Sequence, residues 1–165
     1  VSIGNFVAKN AFNVIADSVE LTGTVRTFKE DVRNLVETEI ERVVKGTCLS
    51  ADADYKFEFV RGYPACVNHQ EETEFVAEVA ASVPGVNNVY EPAPQMGGED
   101  FAYYLEHVKG TFFFTGAGDP DWEETYPHHH PKFKISEKGM LVAAKTLGKA
   151  VIEYAKKESR VPVGK

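Results

Sequence analysis

The segment VELTGTVRTF, residues 19–28, determines how the first part of the chain folds. Apolar and polar side chains alternate along it, and this period of two predicts a strand with one buried face. The apolar positions are Val19, Leu21 and Val25. The same alternation places Arg26 on the polar face of the predicted strand.

A helix and two further strands complete the prediction for residues 1–67. Apolar residues between positions 32 and 44 recur at helical spacing, and Gly46 predicts the end of that helix. Alternation returns at 55–60, and the first residues of the chain also have strand character. The order strand, strand, helix, strand indicates an open-faced α+β sandwich.

From Asn68 onward, helical and strand patterns alternate, which is typical of an α/β arrangement. Helices are predicted to begin near Asn68, Asp100 and Glu137, with strands at 86–90 and 111–115. Three consecutive phenylalanines in the second of these strands predict burial on both faces, as in a parallel sheet. The final helix is predicted to turn one stripe of side chains inward: Leu141, Ala144, Leu147, Val151 and Tyr154.

The composition excludes several classes of protein. The chain has 165 residues, of which 43% are apolar, so it has the composition of a globular protein. Its formal net charge of −7 argues against nucleic acid or an anionic membrane as the main partner. No apolar run approaches the length of a membrane span. Two cysteines, Cys48 and Cys66, make no disulfide framework, and free cysteines suggest a cytoplasmic location.

The run His128-His129-His130 is the strongest chemical signal in the sequence. Imidazole is the commonest protein ligand for metals such as zinc. Neighbouring residues of an extended segment point to opposite sides, so one run supplies one or two ligands, and a zinc site needs three or four. The other acidic and histidine residues show no ligand spacing. A metal ligand and an exposed loop cluster therefore both remain open from the residues alone.

Three further positions have both a functional and a structural interpretation. Gly97 and Gly98 precede a predicted helix, where bare backbone N–H groups can approach an anion, although flexible glycines explain the pattern equally well. Arg26 could bind a carboxylate through two hydrogen bonds or pair across the sheet with Glu58. Asn13 is either a turn residue or a donor to an oxyanion.

Five segments in one order resemble a known family. They are Asn13-Val-Ile-Ala-Asp17, Gly23-Thr-Val-Arg-Thr27, Gly62-Tyr-Pro-x-x-x-Asn68, Gly97-Gly-Glu-Asp-Phe101 and His129-His-Pro-x-Phe133. The chain is similar to the aminoacylase and hippurate hydrolase group of the dinuclear zinc metallopeptidases, which also includes auxin-conjugate hydrolases. The similarity runs from about residue 1 to residue 156.

The resemblance implies a division of the chain into two parts. Residues 1–67 would be part of a ferredoxin-like lid and dimerisation domain, and residues 68–158 the C-terminal segment of an α/β zinc-peptidase catalytic domain. Residues 159–165 would form a polar tail. Members of the group are considerably longer, so the chain resembles the C-terminal portion of such an enzyme. The upstream metal ligands and the acidic general base would then lie outside it, and the isolated portion is expected to be inactive.

The resemblance also implies roles for individual residues. His129 matches the family's last metal ligand, and the complete enzyme would hold two divalent ions such as zinc, manganese, cobalt or nickel. Arg26 and Asn13 match lid positions that reach the substrate carboxylate or the developing oxyanion. Gly97 and Gly98 match a loop at the rim of the active site and are expected to bind substrate. The substrate would be an N-acyl amino acid, hydrolysed at its amide, and the lid would form a homodimer.

The sequence leaves one alternative of a different class. The first part could serve as a non-catalytic ferredoxin-like module for binding or dimerisation. The three phenylalanines at 112–114 would leave apolar surface exposed wherever neighbouring strands are absent. We therefore expect association, domain swapping or dependence on a partner segment that the chain lacks.

Overall fold

The computed structural model describes residues 1–159, with every side chain except that of Glu158. Within these residues the secondary structure consists of β1 Ser2–Val7, β2 Glu20–Thr24, α1 Glu30–Ser50, α2 Gln70–Ala81, α3 Phe101–Leu105 and α4 Glu137–Ser159. The mixed α/β content agrees with the predicted class. The predicted tail falls almost entirely on residues 160–165, which lie outside the described residues.

The chain divides into two compact units. The first unit combines Val1–Cys66 with Pro94–Tyr103, and the second combines Val67–Ala93 with the chain from Tyr104 onward. The assignment of these parts to a ferredoxin-like lid and a catalytic segment stays a prediction. Among the described residues, no helix has both the length and the apolar character needed to cross a membrane.

The first unit contains an antiparallel pair of strands. The ladder runs from Val7 opposite Glu20 to Ser2 opposite Thr24, with an irregularity between Ile3 and Asn5. The prediction of a strand over 19–28 is therefore too long at its C-terminal end. The last ladder pair joins Ser2 to Thr24, and Arg26 follows it.

Helix α1 is longer than its apolar pattern predicts. It passes through Gly46 and ends at Ser50, because a single glycine lowers helix stability by about 1 kcal/mol without terminating the helix. Glu30 and Asp31 lie in the first turn, where negative charge complements the helix dipole. None of the side chains of α1 is fully buried.

An arginine attaches the chain that follows α1 to the helix. The Arg61 guanidinium donates to Glu30 Oε1 at 2.6 Å and to Asn34 Oδ1 at 2.7 Å, and it also pairs with the Glu37 carboxylate. These three partners share one face of α1, since residues three or four apart are neighbours on a helix. The segment that leads to Arg61 is thereby fixed without strand pairing.

The three remaining predicted strands, at 55–60, 86–90 and 111–115, have no ladder partner among the described residues. Strand assignment requires hydrogen bonds to a second strand, and β1 and β2 pair only with each other. The alternation at 55–60 still governs burial, because Phe57 and Phe59 are half-buried while the residues beside them are exposed. The pattern identified the inward side chains but not the pairing.

In the second unit, α2 packs against α4. Apolar residues at helical spacing between positions 75 and 83 predict one inward stripe on the helix that begins near Asn68. This stripe is confirmed at Val79 and at Val83, which follows the end of α2, since both are buried. On α4 the predicted stripe is wrong, because Leu141, Ala144, Leu147, Val151 and Tyr154 are all exposed. The buried residues of α4 are instead Thr146 and Ala150. Tyr154 still contacts α2, since its ring meets that of Phe75 edge to face at 6.0 Å.

The start of α2 departs from the predicted capping pattern. Asn68, followed by Glu71, predicts a capping box, but the helix begins at Gln70 and no side chain caps it. Asn68 instead pairs with the backbone of Phe112, accepting from its N–H at 2.7 Å and donating to its carbonyl at 2.8 Å. The amide side chain therefore acts as a short substitute for a strand partner.

Close backbone approach explains a glycine near the start of α4. A Cβ atom at Gly139 would lie 2.7 Å from the carbonyl oxygen of Gly116, closer than such atoms can come. Nearby, the Ser136 N–H donates to the Ala117 carbonyl at 2.7 Å. The backbone of 116–117 is therefore held directly against the first turn of α4.

The glycines of α4 provide a matched test of this contact. We expect Gly139→Ala to lower the free energy of unfolding by about 1–3 kcal/mol, because the added methyl group meets backbone that cannot rotate away. Gly148→Ala, with open space around it, should raise it by about 0.5–1 kcal/mol through helix propensity. Urea denaturation of both variants measures the difference, and equal effects would show that the close approach is absent.

Candidate functional site

The structure brings together two of the predicted substrate-binding residues, Arg26 and Gly98. Arg26 follows β2, and Gly98 precedes α3 within the first unit. Nη1 of Arg26 lies 3.0 Å from the position that a Cβ of Gly98 would occupy, and the Tyr63 ring approaches the same point to 3.5 Å. The absence of a side chain at Gly98 therefore leaves room for the guanidinium beside the loop backbone.

The Arg26 guanidinium has no carboxylate partner among the described residues. Arg33, Arg42 and Arg61 each form an ion pair, with Glu30, Glu39 and again Glu30 respectively. Arg26 is exposed, and the structure gives it no hydrogen bond or ion pair.

The predicted alternative partner of Arg26, Glu58, is 3.9 Å from Lys56 instead. An exposed guanidinium presents planar paired donors that match a carboxylate. The geometry of Arg26 therefore fits binding of an external anion, the role that the sequence resemblance implies for it.

Asn13 and Gly97 are both exposed. No side-chain contact is described for Asn13, and a Cβ at Gly97 would have open space around it. Asn13 occupies the third position of a turn in which the Val14 N–H donates to the Ala11 carbonyl at 3.1 Å, which agrees with its interpretation as a turn residue. Asn10 stabilises this connection by donating to the Ile15 carbonyl at 2.8 Å. The roles of Asn13 at an oxyanion and of Gly97 in substrate binding stay predictions.

An acidic residue and a thiol lie on the same part of the first unit. Partial burial and the nearby Glu99 carboxylate both raise the pKa of the Cys66 thiol. The thiolate is the reactive form of cysteine, so the thiol is kept in its less reactive state near neutral pH. Glu99 also accepts a hydrogen bond from the Phe101 N–H at 3.2 Å, which fixes its carboxylate at the start of α3.

In the second unit, the histidine run forms a tight turn. The His130 N–H donates to the Pro127 carbonyl at 3.2 Å, so His129 is the third residue of the turn. Its φ of 68° lies in the left-handed region, as the third position of a type II turn requires. Glycine or asparagine is the usual residue there, and a histidine is uncommon.

The three imidazoles of the run have different surroundings. The ring of His130 stacks on Tyr126 at 4.4 Å, and its Nδ1 accepts from the Lys132 N–H at 3.1 Å. The ring of His128 lies 4.8 Å from Phe133. His129 is exposed and makes no described hydrogen bond, ion pair or ring contact. The turn therefore leaves the imidazole of His129 available, while its two neighbours hold the loop.

The donor chemistry of His129 fits one ligand position of a transition-metal site. The described part of the chain contains no group of three or more histidine, cysteine, aspartate or glutamate side chains that could hold a metal ion. A zinc site requires three or four protein ligands. These residues alone therefore supply one ligand and not a complete site.

Sequence reasoning did not identify Tyr63 as a site residue. The signal was present in its position within Gly62-Tyr-Pro, one of the five motifs, but nothing in a motif shows that the ring lies beside Arg26. It also did not identify Tyr126, which lies four residues before His130 in a loop without periodicity.

Comparison with known proteins places the chain in a family. The family model described as Peptidase family M20/M25/M40 matches residues 5–153. A Bacillus subtilis (strain 168) protein named "Putative amidohydrolase YhaA" is 55% identical over 154 residues, which are 93% of this chain and 39% of YhaA. The N-acetyl-L-cysteine deacetylase of the same organism is 36% identical over 145 residues, 87% of this chain and 33% of the deacetylase.

A solved structure agrees with the sequence comparisons. The YXEP protein of Bacillus subtilis, described as a dinuclear metal-binding peptidase of the M20 family, matches with a TM-score of 0.67 and 31% identity. The match covers 94% of this chain and 41% of the YXEP chain. This chain therefore spans well under half the length of the relatives that it matches. The predicted resemblance is confirmed at the level of the family.

The left-handed backbone of His129 provides a test of the turn. Asparagine tolerates this conformation, so His129→Asn should leave the free energy of unfolding nearly unchanged. His129→Val should lower it by about 1–2 kcal/mol, because a branched Cβ clashes with the following carbonyl in the left-handed region. Thermal unfolding of the two variants measures this difference, and identical stabilities would mean that His129 does not hold a positive φ.

Proposed function

The chain belongs to peptidase family M20/M25/M40, and from that membership we propose that it contributes part of a metal-dependent amidohydrolase acting on N-acyl amino acids. The substrate class is supported by the relative named as an N-acetyl-L-cysteine deacetylase. A free carboxylate is the group that all N-acyl amino acids share. The residue that would recognise it is Arg26.

The observation that carries the proposal is the unpaired guanidinium of Arg26 beside Gly98. A carboxylate bound there would receive two parallel N–H donors, and the bare backbone of the glycine loop would not obstruct it. Binding at this position fixes one end of the substrate, and a fixed orientation is itself a large part of catalysis. In the same proposal, Asn13 donates to the oxyanion that forms as the amide is attacked.

His129 contributes one metal ligand in this proposal. The relative described as a dinuclear metal-binding peptidase supports two ions, with zinc, manganese, cobalt and nickel as the candidates. A bound divalent ion supplies a polarised carbonyl and a water of lowered pKa. The remaining ligands and the general base are proposed to lie outside these 165 residues, and the chain by itself is proposed to be inactive.

The environment of the protein is part of the proposal. The net charge of −7 disfavours nucleic acid and anionic membrane surfaces as partners. Cys48 and Cys66 are both free thiols, which fits a reducing cytoplasm.

An activity measurement tests the proposed role of Arg26. The chain alone, supplied with zinc, manganese or cobalt, should release no amino acid from N-acetyl or N-benzoyl amino acids. A chimera in which the chain replaces the matching 154-residue segment of YhaA should hydrolyse them. In that chimera Arg26→Ala should raise KM by about tenfold or more with a smaller change in kcat, because a charged hydrogen-bond pair to the carboxylate is lost.

The matched control is Arg42→Ala, since Arg42 pairs with Glu39 on exposed α1 and should leave KM unchanged. Hydrolysis by the isolated chain would contradict the proposal that it lacks essential ligands. A chimera whose KM does not respond to Arg26→Ala would contradict the proposed carboxylate site.

Self-association through the first unit is a further part of the proposed function. Phe12 and Ile15, in the connection between β1 and β2, have relative exposures of 103% and 93%. Large apolar side chains exposed together mark surfaces that bind another protein. A second copy of the chain is the partner that the sequence resemblance implies, as a homodimer formed by the lid.

Light scattering coupled to size-exclusion chromatography tests this association. We expect the parent chain to elute with the mass of a dimer and Phe12→Ser/Ile15→Ser to shift toward the monomer, because the variant removes the exposed apolar pair. Val60→Ser, at a residue that is 80% exposed in the same unit, should leave the dimer intact. A strictly monomeric parent would contradict the proposal.

A further inference from the structure

The ring of Tyr63 and the guanidinium of Arg26 lie beside the same point of the loop, at Gly98. Carbons Cδ2 and Cε2 of the ring are 3.5 and 3.9 Å from the position that a Cβ of Gly98 would occupy, and Nη1 of Arg26 is 3.0 Å from it. The guanidinium and the ring therefore border the same small space. In an amino acid, the side chain is attached to the carbon that carries the carboxylate, so a carboxylate on Arg26 brings the side chain within reach of Tyr63.

Tyr63 is held in place from two directions. Its carbonyl oxygen accepts a hydrogen bond from Nη2 of Arg33 at 2.6 Å, and Arg33 is fixed in turn by an ion pair with Glu30 at 3.3 Å. The ring meets Tyr103 edge to face, with a centroid separation of 5.7 Å and an interplanar angle of 79°. A ring fixed in advance loses little conformational freedom when a ligand packs on it.

The two rings also offer apolar surface that the fold does not use. Tyr63 is 49% exposed and Tyr103 is 44% exposed. Arg33, whose guanidinium reaches the Tyr63 carbonyl, is already paired with Glu30 and is not available to bind an acidic side chain. Aromatic and aliphatic groups are the partners that an aromatic face stabilises.

We propose that Tyr63 determines which N-acyl amino acids are bound, and that it favours those with apolar and aromatic side chains. The inference rests on the proposed function, because it requires the substrate carboxylate to lie on Arg26. Tyr103 meets the Tyr63 ring edge to face and acts as a positioning residue that holds this ring beside the guanidinium.

Titration of the ¹⁵N-labelled chain, followed by amide chemical shifts in NMR, tests the inference without requiring catalysis. The probes are N-acetyl-L-phenylalanine, N-acetylglycine and N-acetyl-L-phenylalaninamide, which lacks the carboxylate. We expect N-acetyl-L-phenylalanine to bind about fivefold more tightly than N-acetylglycine, the effect of one aromatic contact. The amide should bind more weakly than the acid, with the largest shifts of the acid complex at Gly98.

Substitutions separate the ring from the carboxylate site. Tyr63→Phe keeps the ring and should keep the fivefold preference, whereas Tyr63→Ala should reduce it to near one. Tyr63→Leu retains apolar volume, so it preserves the packing if the alanine variant unfolds, and its preference should fall below about twofold. Tyr90→Ala, at an exposed tyrosine of the second unit, should change nothing.

The outcomes distinguish this inference from the proposed function. If Arg26→Ala weakens both acids but Tyr63→Ala and Tyr63→Leu leave the preference intact, the role of Tyr63 is overturned and the carboxylate site stands. If neither acid binds, or if Arg26→Ala has no effect, the carboxylate site itself is overturned. A preference that Tyr63→Phe keeps and that Tyr63→Leu and Tyr63→Ala reduce supports both the role of Tyr63 and the carboxylate site.

Discussion

The second unit depends on the pairing between the Asn68 amide and the backbone of Phe112. Both atoms of the amide are used, one as acceptor and one as donor, so that one side chain satisfies two backbone groups. His69 continues the contact, since its N–H donates to the Gly110 carbonyl at 3.1 Å. Backbone N–H and C=O groups are strong hydrogen-bonding groups, and here the Asn68 side chain and the His69 backbone supply part of what a neighbouring strand would supply. This attachment fixes the start of α2 against residues 110–112.

In the first unit, charged side chains rather than an amide hold an irregular segment of the chain against a helix. Arg61 reaches three residues on one face of α1, and Arg33 holds the carbonyl of Tyr63. A single exposed ion pair contributes little, whereas several charges that share one partner form a network of better-defined geometry. Arg33, Arg42 and Arg61 are committed to ion pairs, so among the arginines at positions 1–159 Arg26 is the one whose guanidinium is not. The exposed guanidinium of Arg26 therefore fits a role in binding an external group rather than in stabilising the fold.

Local features of the fold could be predicted from the sequence, and features that depend on distant chain could not. The start of α4 at Glu137 and the buried stripe of α2 follow from helical periodicity, which is a local property. The predicted inward face of α4 was wrong, because burial on α4 depends on what packs against it: Thr146 and Ala150 are buried, whereas Tyr154 meets Phe75 of α2 and stays partly exposed. The prediction that 111–115 is a strand buried on both faces was wrong, because Phe112 and Phe113 are half-buried, Phe114 is 70% exposed, and no described strand pairs with this segment.

The candidate site also has features that the sequence predicts and features that it does not. The motifs identified Arg26, Gly98 and His129 as candidates, but not their surroundings. Arg26 follows the last ladder residue of β2, and its guanidinium lies beside Gly98. His129 adopts a φ of 68°, which few residues other than glycine prefer. Departures of this kind concentrate at functional sites, because there the side chain must face a ligand rather than the core.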